Sequence, residues 1–235
     1  MKRFTLTLGV IGLICVIGLS FFGCDNGSTS VDNRAVLVCF GDSLTAGTSA
    51  TTPYQVDKSR SYPAFLQKKV NMKVENLGDS GDTTVAARDR INTVIDKNPR
   101  IVIIEFGAND CFSRIPVAET MENLDAIITI LNDGNRKLYL AKFYNDTVVQ
   151  YLKSLPDLPI IGGFKELANK KDEYDLMFSA LESKHHGIEL IEDIWADVWG
   201  IHMGDPIHPN AEGYEIMAEH YYNALFPYLL ENDFL

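Results

Sequence analysis

Residues 35–44, with the sequence AVLVCFGDSL, set the architecture of this chain. An unbroken apolar run from Ala35 to Phe40 ends at Gly41, a pattern typical of a strand buried on both faces of a parallel sheet. Ser43 follows two residues later, just beyond the carboxyl end of that strand. Ligands of open parallel sheets bind beyond the carboxyl ends of the strands. The stretch therefore predicts an α/β fold and the edge of the sheet at which a site would lie.

The rest of the chain alternates strand and helix patterns. Four more segments are short and apolar, as strands are, at residues 73–77, 101–106, 137–143 and 188–191. Amphipathic helix patterns separate and follow them, at residues 62–70, 86–95, 117–131, 173–184 and 214–225. Such alternation requires right-handed crossovers, so we expect a three-layer α/β/α sandwich around a parallel sheet. Residues 144–169 are irregular and rich in Pro and Gly, and we expect loop and short helix there, covering the site.

The first two dozen residues have the pattern of a targeting segment. Lys2 and Arg3 precede an uncharged apolar run that ends at Cys24. This end resembles a bacterial lipoprotein signal, in which the cysteine is lipidated and becomes the mature N-terminus. We therefore predict a signal peptide over residues 1–23, a flexible tether over 24–33 and one folded domain over 34–235. An uncleaved signal anchor is the alternative, since about 20 apolar residues span a bilayer. Both place the protein outside the cytoplasm and attached to a membrane.

The net charge of the chain argues against some classes of partner. The formal net charge of −11 argues against nucleic acid and against a surface that grips anionic lipid, so the N-terminal lipid anchor is the expected membrane contact. Two of the four cysteines, Cys39 and Cys111, lie in the predicted folded domain. Buried free thiols are the default expectation, and a disulfide between them is the alternative.

Four polar segments stand directly after predicted strands or near the last helix. They are residues 41–44 (GDSL), 78–83 (GDSGDT), 107–110 (GAND) and 205–209 (DPIHP). A serine hydroxyl becomes a nucleophile when a base takes its proton and a third group orients that base. His208, with Asp205 three residues earlier, supplies such a pair for Ser43.

Two further residues suit an oxyanion hole. The tetrahedral intermediate of acyl transfer needs hydrogen-bond donors, each worth about 3–4 kcal/mol. Asn109 offers a side-chain amide, and Gly81 lets the main chain approach closely with its N–H presented. We assign Asp42, Asp79 and Asp110 to turns rather than to proton transfer.

In this order the segments resemble the motifs of the SGNH, or GDSL, hydrolase family. The resemblance runs from about residue 35 to residue 222, with no motif between 144 and 186. It implies a flavodoxin-like, five-stranded parallel sheet in the order 2-1-3-4-5, with no cofactor and no metal. By motif it implies a catalytic triad of Ser43, Asp205 and His208, and an oxyanion hole of Gly81, Asn109 and the Ser43 main-chain N–H.

The same motifs look most like the acyl-thioesterase, lysophospholipase and arylesterase branch of that family. The expected activity is hydrolysis of a small or acyl-chain ester through an acyl-enzyme. A carbohydrate O-acetylesterase would use the same residues, and a ligand-binding lipoprotein without turnover is the non-enzyme alternative. Two other classes of site agree less well with the sequence. An α/β-hydrolase is disfavoured, because Thr45 stands where the G-x-S-x-G elbow of that fold requires glycine. A metal site built from His202, Asp205 and His208 is disfavoured too, because it would leave the serine motif unexplained.

Overall fold

A computed structural model of the chain describes residues 34–154 and 162–235. The predicted signal peptide, the tether and Cys24 lie outside these residues. Within them, parallel strands form one sheet in the order β2-β1-β3-β4-β5. The strands are β1 (Val36–Gly41), β2 (Lys73–Gly78), β3 (Ile101–Glu105), β4 (Lys137–Ala141) and β5 (Ile188–Ile191). The predicted strand number, direction and order are confirmed.

The centre of the sheet is the most deeply buried part of the fold. Residues 37–40 of β1 and 101–104 of β3 have no exposed surface, as their unbroken apolar sequences predict. The register pairs Gly41 with Gly78 on one side and with Glu105 on the other. Strands β2, β1 and β3 therefore end at the same level, and the segments that follow them meet at one edge.

Helices cover the sheet in two packed groups. Their bounds are α1 (Ser43–Ala46), α2 (Tyr62–Leu66), α3 (Thr84–Asp89), α4 (Asn92–Ile95), α5 (Ala108–Phe112), α6 (Val117–Leu131), α7 (Asp146–Ser154), α8 (Gly162–Lys184) and α9 (Ala211–Glu231). Helix α2 packs against α9, while α6 packs against both α3 and α8. None of the helices in the described part of the chain is both long enough and apolar enough to cross a bilayer.

Three local predictions differ from the structure. The helix expected over 86–95 is two helices, because the chain turns at Arg90, whose side chain reaches back to the strand ends. The irregular stretch 144–169 contains α7 and the start of α8, so the helix expected from residue 173 begins at Gly162. Two prolines between these helices and the two glycines that begin α8 obscure the helical pattern of the stretch. The buried residues of α7 are Val148, Val149 and Leu152.

The two cysteines of the folded domain are buried free thiols. The default expectation is confirmed and the disulfide alternative is wrong. Burial raises the pKa of Cys111 to about 12, so this thiol stays protonated at neutral pH.

Candidate active site

Ser43 is the first residue of α1, directly after β1. The Asp42 side chain caps this short helix by accepting a hydrogen bond from the Leu44 main-chain N–H at 3.1 Å. The helix lies directly on the end of β2, since a Cβ at Gly78 would come within 2.2 Å of the Ala46 nitrogen. Only glycine at position 78 permits this approach. The packing places the Ser43 hydroxyl, half-buried, at the carboxyl edge of the sheet.

The structure brings Ser43, His208 and Asp205 into one hydrogen-bonded chain. The Ser43 Oγ lies 2.9 Å from His208 Nε2, and His208 Nδ1 lies 2.7 Å from Asp205 Oδ2. His208 and Asp205 are both buried. A carboxylate accepts the Nδ1–H, which leaves Nε2 as the acceptor for the serine proton. These residues come from opposite ends of the chain and meet as the motifs predict.

The loop that carries the histidine is closed by its own hydrogen bonds. The His208 carbonyl accepts from the main-chain N–H groups of Gly204 and Asp205, at 2.8 and 3.2 Å. The Asp205 Oδ1 accepts from the main-chain N–H groups of Ile207 and His208, at 2.8 and 2.9 Å. Burial raises the pKa of Asp205, but hydrogen bonds from His208, Ser49 and Ile207 outweigh it and hold that pKa at about 2. Asp205 is therefore ionised at neutral pH.

Asn109 and Gly81 lie beside Ser43 in the same pocket. The Asn109 Nδ2 donates to Asp42 Oδ2 at 3.0 Å and to the Asp82 carbonyl at 2.9 Å. These bonds fix the amide next to Ser43, and an oxyanion would have to share or replace one of them. Gly81 has a φ of +91°, and a Cβ there would meet no atom within 4 Å. The backbone conformation, rather than lack of space, therefore favours glycine at this position.

A buried pair of carboxyl groups lies under the site and was missed by the sequence analysis. Glu105, the last residue of β3, has no exposed surface, and its Oε2 accepts from the Thr45 hydroxyl at 3.1 Å. Burial and the negative charge of Asp42 raise the pKa of Glu105 well above its usual range. Burial also raises the pKa of Asp42, to about 6. Glu105 is thus the neutral partner. An acidic residue inside the apolar run IVIIEF was the available signal.

Arg90 is a second residue that the motifs did not indicate. Its Nη1 donates to the Leu77 carbonyl at 2.8 Å and its Nη2 to the Gly41 carbonyl at 3.0 Å. Its Nε pairs with Asp82 at 2.6 Å. One guanidinium therefore joins the ends of β1 and β2 to the segment that contains Gly81.

A cavity of about 290 Å³ opens beside Ser43. Its polar end contains Ser43, Gly81, Asn109 and His208. The remaining wall is largely apolar, with large side chains that include Phe112, Phe143, Leu152, Leu167, Trp195 and Trp199. The two tryptophan rings stack at 5.1 Å, and Trp195 Nε1 donates to the Phe143 carbonyl at 3.0 Å. The wall is thus held by packing and by a buried hydrogen bond.

The alternative metal site is not formed. His202 Nδ1 faces Glu212 Oε2 at 3.4 Å, while Asp205 and His208 bond to each other. Across residues 34–154 and 162–235, no three His, Cys, Asp or Glu side chains converge as metal ligands would.

A buried aspartate, a histidine and a serine, joined at the carboxyl edge of a parallel sheet, define the serine-hydrolase class of site. The sequence places the chain within that class. A profile of the GDSL-like Lipase/Acylhydrolase family matches residues 39–216, and the chain belongs to this family.

Two curated proteins are similar to parts of the chain. "Arylesterase" from Vibrio mimicus is 29% identical over 134 residues, which cover 54% of this chain and 63% of that protein. "Esterase TesA" from Pseudomonas aeruginosa is 30% identical over 87 residues, which cover 34% and 43% of the two chains. The matched segments span less than two thirds of either relative.

Solved structures share the fold over most of the chain. Esterase EstA from Pseudoalteromonas sp. has a TM-score of 0.63 at 20% identity, covering 83% of this chain and 99% of that one. The crystal structure of TesA has a TM-score of 0.62 at 22% identity, covering 83% and 99%. At these identities the likeness shows the fold.

Proposed function

We propose that this protein is a serine-dependent carboxylic ester hydrolase. The observation that carries the proposal is the 2.9 Å contact between Ser43 Oγ and His208 Nε2, continued to Asp205 through Nδ1. Family membership and similarity to an arylesterase and an esterase support it.

The geometry suits a two-step reaction. The Ser43 Oγ attacks the ester carbonyl carbon as its proton passes to His208 Nε2, and His208 then gives that proton to the leaving alcohol. Water next attacks the carbonyl carbon of the acyl-enzyme while His208 Nε2 takes one of its protons. The bond to Ser43 Oγ then breaks, His208 returns the proton to that oxygen, and the carboxylic acid is released. Asp205 keeps the imidazole in the required tautomer and stabilises its charged form.

The oxyanion hole consists of Asn109 Nδ2 and the main-chain N–H groups of Ser43 and Gly81. In the free enzyme the Asn109 amide bonds to Asp42 and to the Asp82 carbonyl. As charge develops on the carbonyl oxygen, the amide exchanges part of this bonding for a stronger bond to the oxyanion. Such a bond favours the transition state over bound substrate, which is what accelerates a reaction.

The shape of the cavity favours an acyl-chain ester over an acetylated glycan. An acetyl group would leave most of the 290 Å³ empty, whereas each methylene buried against the aromatic wall contributes about 0.8 kcal/mol. Glycan hydroxyls need polar partners, and the wall around Phe143 and Trp195 is apolar.

A p-nitrophenyl ester series from acetyl to dodecanoyl tests both parts of this proposal. We expect turnover to rise with chain length until the cavity is filled, and Ser43→Ala to abolish it while leaving the circular dichroism spectrum unchanged. Retention of most activity by Ser43→Ala would overturn the mechanism. A sharp preference for acetyl, with release of acetate from acetylated xylan, would favour the glycan O-acetylesterase. Absence of turnover on every ester, lysophospholipid included, would favour the ligand-binding alternative.

We also propose that the protein is anchored outside the cytoplasm as a lipoprotein. This proposal rests on the sequence of residues 1–33, with Cys24 as the lipidated residue. We expect Cys24→Ser to abolish metabolic labelling with palmitate and Cys15→Ser, within the apolar run, to leave labelling intact. Labelling of the Cys24→Ser variant would contradict the proposal.

A further inference from the structure

Ser49 contacts the proposed triad although it belongs to none of the four motifs. It lies in the segment 48–57, which follows α1, and only 1% of its surface is exposed. Its hydroxyl donates to Asp205 Oδ2. The same oxygen accepts from His208 Nδ1 at 2.7 Å. Ser49 therefore acts on the oxygen that orients the histidine.

The hydrogen bond from Ser49 completes the set around the carboxylate. An ionised carboxylate accepts about four hydrogen bonds. Asp205 Oδ1 takes two, from the main-chain N–H groups of Ile207 and His208, and Oδ2 takes the other two, from His208 and Ser49. Every acceptor position is then occupied, which opposes rotation of the carboxylate about its Cβ–Cγ bond.

A second hydrogen bond fixes the direction of the Ser49 hydroxyl. The main-chain N–H of Tyr54 donates to Ser49 Oγ at 2.7 Å. This donor occupies a lone pair of the oxygen, so the hydroxyl proton is left to point at Asp205.

The backbone is strained at both residues that make this arrangement. Ser49 and Tyr54 have φ values of +63° and +60°, a region that costs residues other than glycine about 1–2 kcal/mol each. Tyr54 is 70% exposed, so packing of its ring does not account for its conformation. What the conformation provides is the N–H that orients Ser49. Strain retained next to a reactive site is a reason to infer a role there.

We propose that Ser49 is a positioning residue of the active site, which holds the Asp205 carboxylate in the plane where it orients His208. The inference rests on the proposed ester hydrolase function. Ser49 touches no reacting atom and acts through Asp205.

Ser49→Ala and Ser49→Gly form a matched pair that separates positioning from stability. Both remove the hydroxyl, but only glycine relieves the strain at φ +63°, so the glycine variant should have the higher melting temperature. We expect both to lower kcat by about ten- to a hundredfold, with KM within about twofold of wild type, since a hydrogen bond to a charged group is lost. Thr51→Ala is the control, because Thr51 lies in the same segment and donates instead to Asp57 at 3.1 Å. It should keep the wild-type kcat.

A proton NMR measurement tests the positioning without requiring turnover. We expect the downfield resonance of the His208 Nδ1–H to be present in the wild type and shifted or broadened in both Ser49 variants. If the glycine variant keeps the wild-type kcat and resonance, Ser49 only stabilises its segment and the inference is wrong. If the wild type hydrolyses no ester, the proposed function fails, and the resonance still decides whether Ser49 positions the pair.

Discussion

The side-chain amide of Asn109 donates to the buried carboxylate of Asp42, one residue before the candidate nucleophile, at 3.0 Å. The residue proposed as an oxyanion donor is thus held by the residue that caps α1. Asp42 therefore positions both Asn109 and the helix that carries Ser43, and a shift of Asp42 would displace both.

Replacement of the amide should affect the chemical step. We expect Asn109→Ala to lower kcat by about 10²- to 10³-fold and to change KM little, because the lost bond is strongest in the transition state. Steady-state kinetics with a p-nitrophenyl ester measure both constants. If KM instead rose by this factor while kcat stayed unchanged, Asn109 would be assigned to ground-state binding of the substrate.

Glu105 should make the protein less stable as pH rises. In the folded state the pKa of Glu105 lies well above its ordinary value of 4.5. At a pH between these two pKa values, the Glu105 side chain is ionised in the unfolded protein and neutral in the folded protein. The folded state binds the extra proton, and the free energy of unfolding therefore falls as pH increases through this window. Glu105→Gln removes this linkage while keeping the shape of the side chain. The free energy of unfolding of this variant, relative to that of the wild type, should increase from pH 5 to pH 8. Urea unfolding at each pH measures both free energies. A difference between them that stays constant with pH would contradict a buried neutral Glu105.

Asp205 should have the opposite effect at acid pH. Its pKa falls from 3.8 to about 2 on folding, so its stabilising contribution is present above pH 4 and is lost as pH falls toward 2. The contribution is on the order of 2 kcal/mol. The difference in melting temperature between wild type and Asp205→Asn should shrink over this range. If the difference stayed constant down to pH 2, the carboxylate would not be the stabilising species.

The apolar wall should set the acyl-chain preference. Val148 lies on the buried face of α7 and lines the cavity, so Val148→Phe fills space that a chain would use. We expect kcat/KM to fall at least about tenfold for octanoyl esters and to change little for acetyl esters. Gln150→Phe adds the same ring to the exposed side of the same helix and serves as the control. A parallel loss for both esters would indicate a folding defect, which overpacking of about 1–3 kcal/mol would cause.

Much of the fold was predictable from the sequence because its central strands, 37–40 and 101–104, are continuous apolar runs that end at glycine or at a polar motif. The residues that the motifs single out, Ser43 and His208 among them, also meet in space. Ser49, Arg90 and Glu105 were not found, because their roles depend on contacts between segments far apart in the chain. A serine such as Ser49 resembles any turn serine until the loop of Asp205 is placed against it.

Helices α7 and α8 belong to the part of the chain without a motif, yet they contribute Val148, Leu152 and Leu167 to the wall beside Ser43. The proposed catalytic residues instead follow β1, β2 and β3 or precede α9. The proposed function therefore assigns part of the selectivity to a stretch of sequence that contains none of the proposed catalytic residues. Exchange of residues 146–154 for the matching helix of a relative would be expected to change which esters are accepted while the proton-transfer groups stay in place. Divergence in this segment gives such a protein a route to new substrates without rebuilding its chemistry.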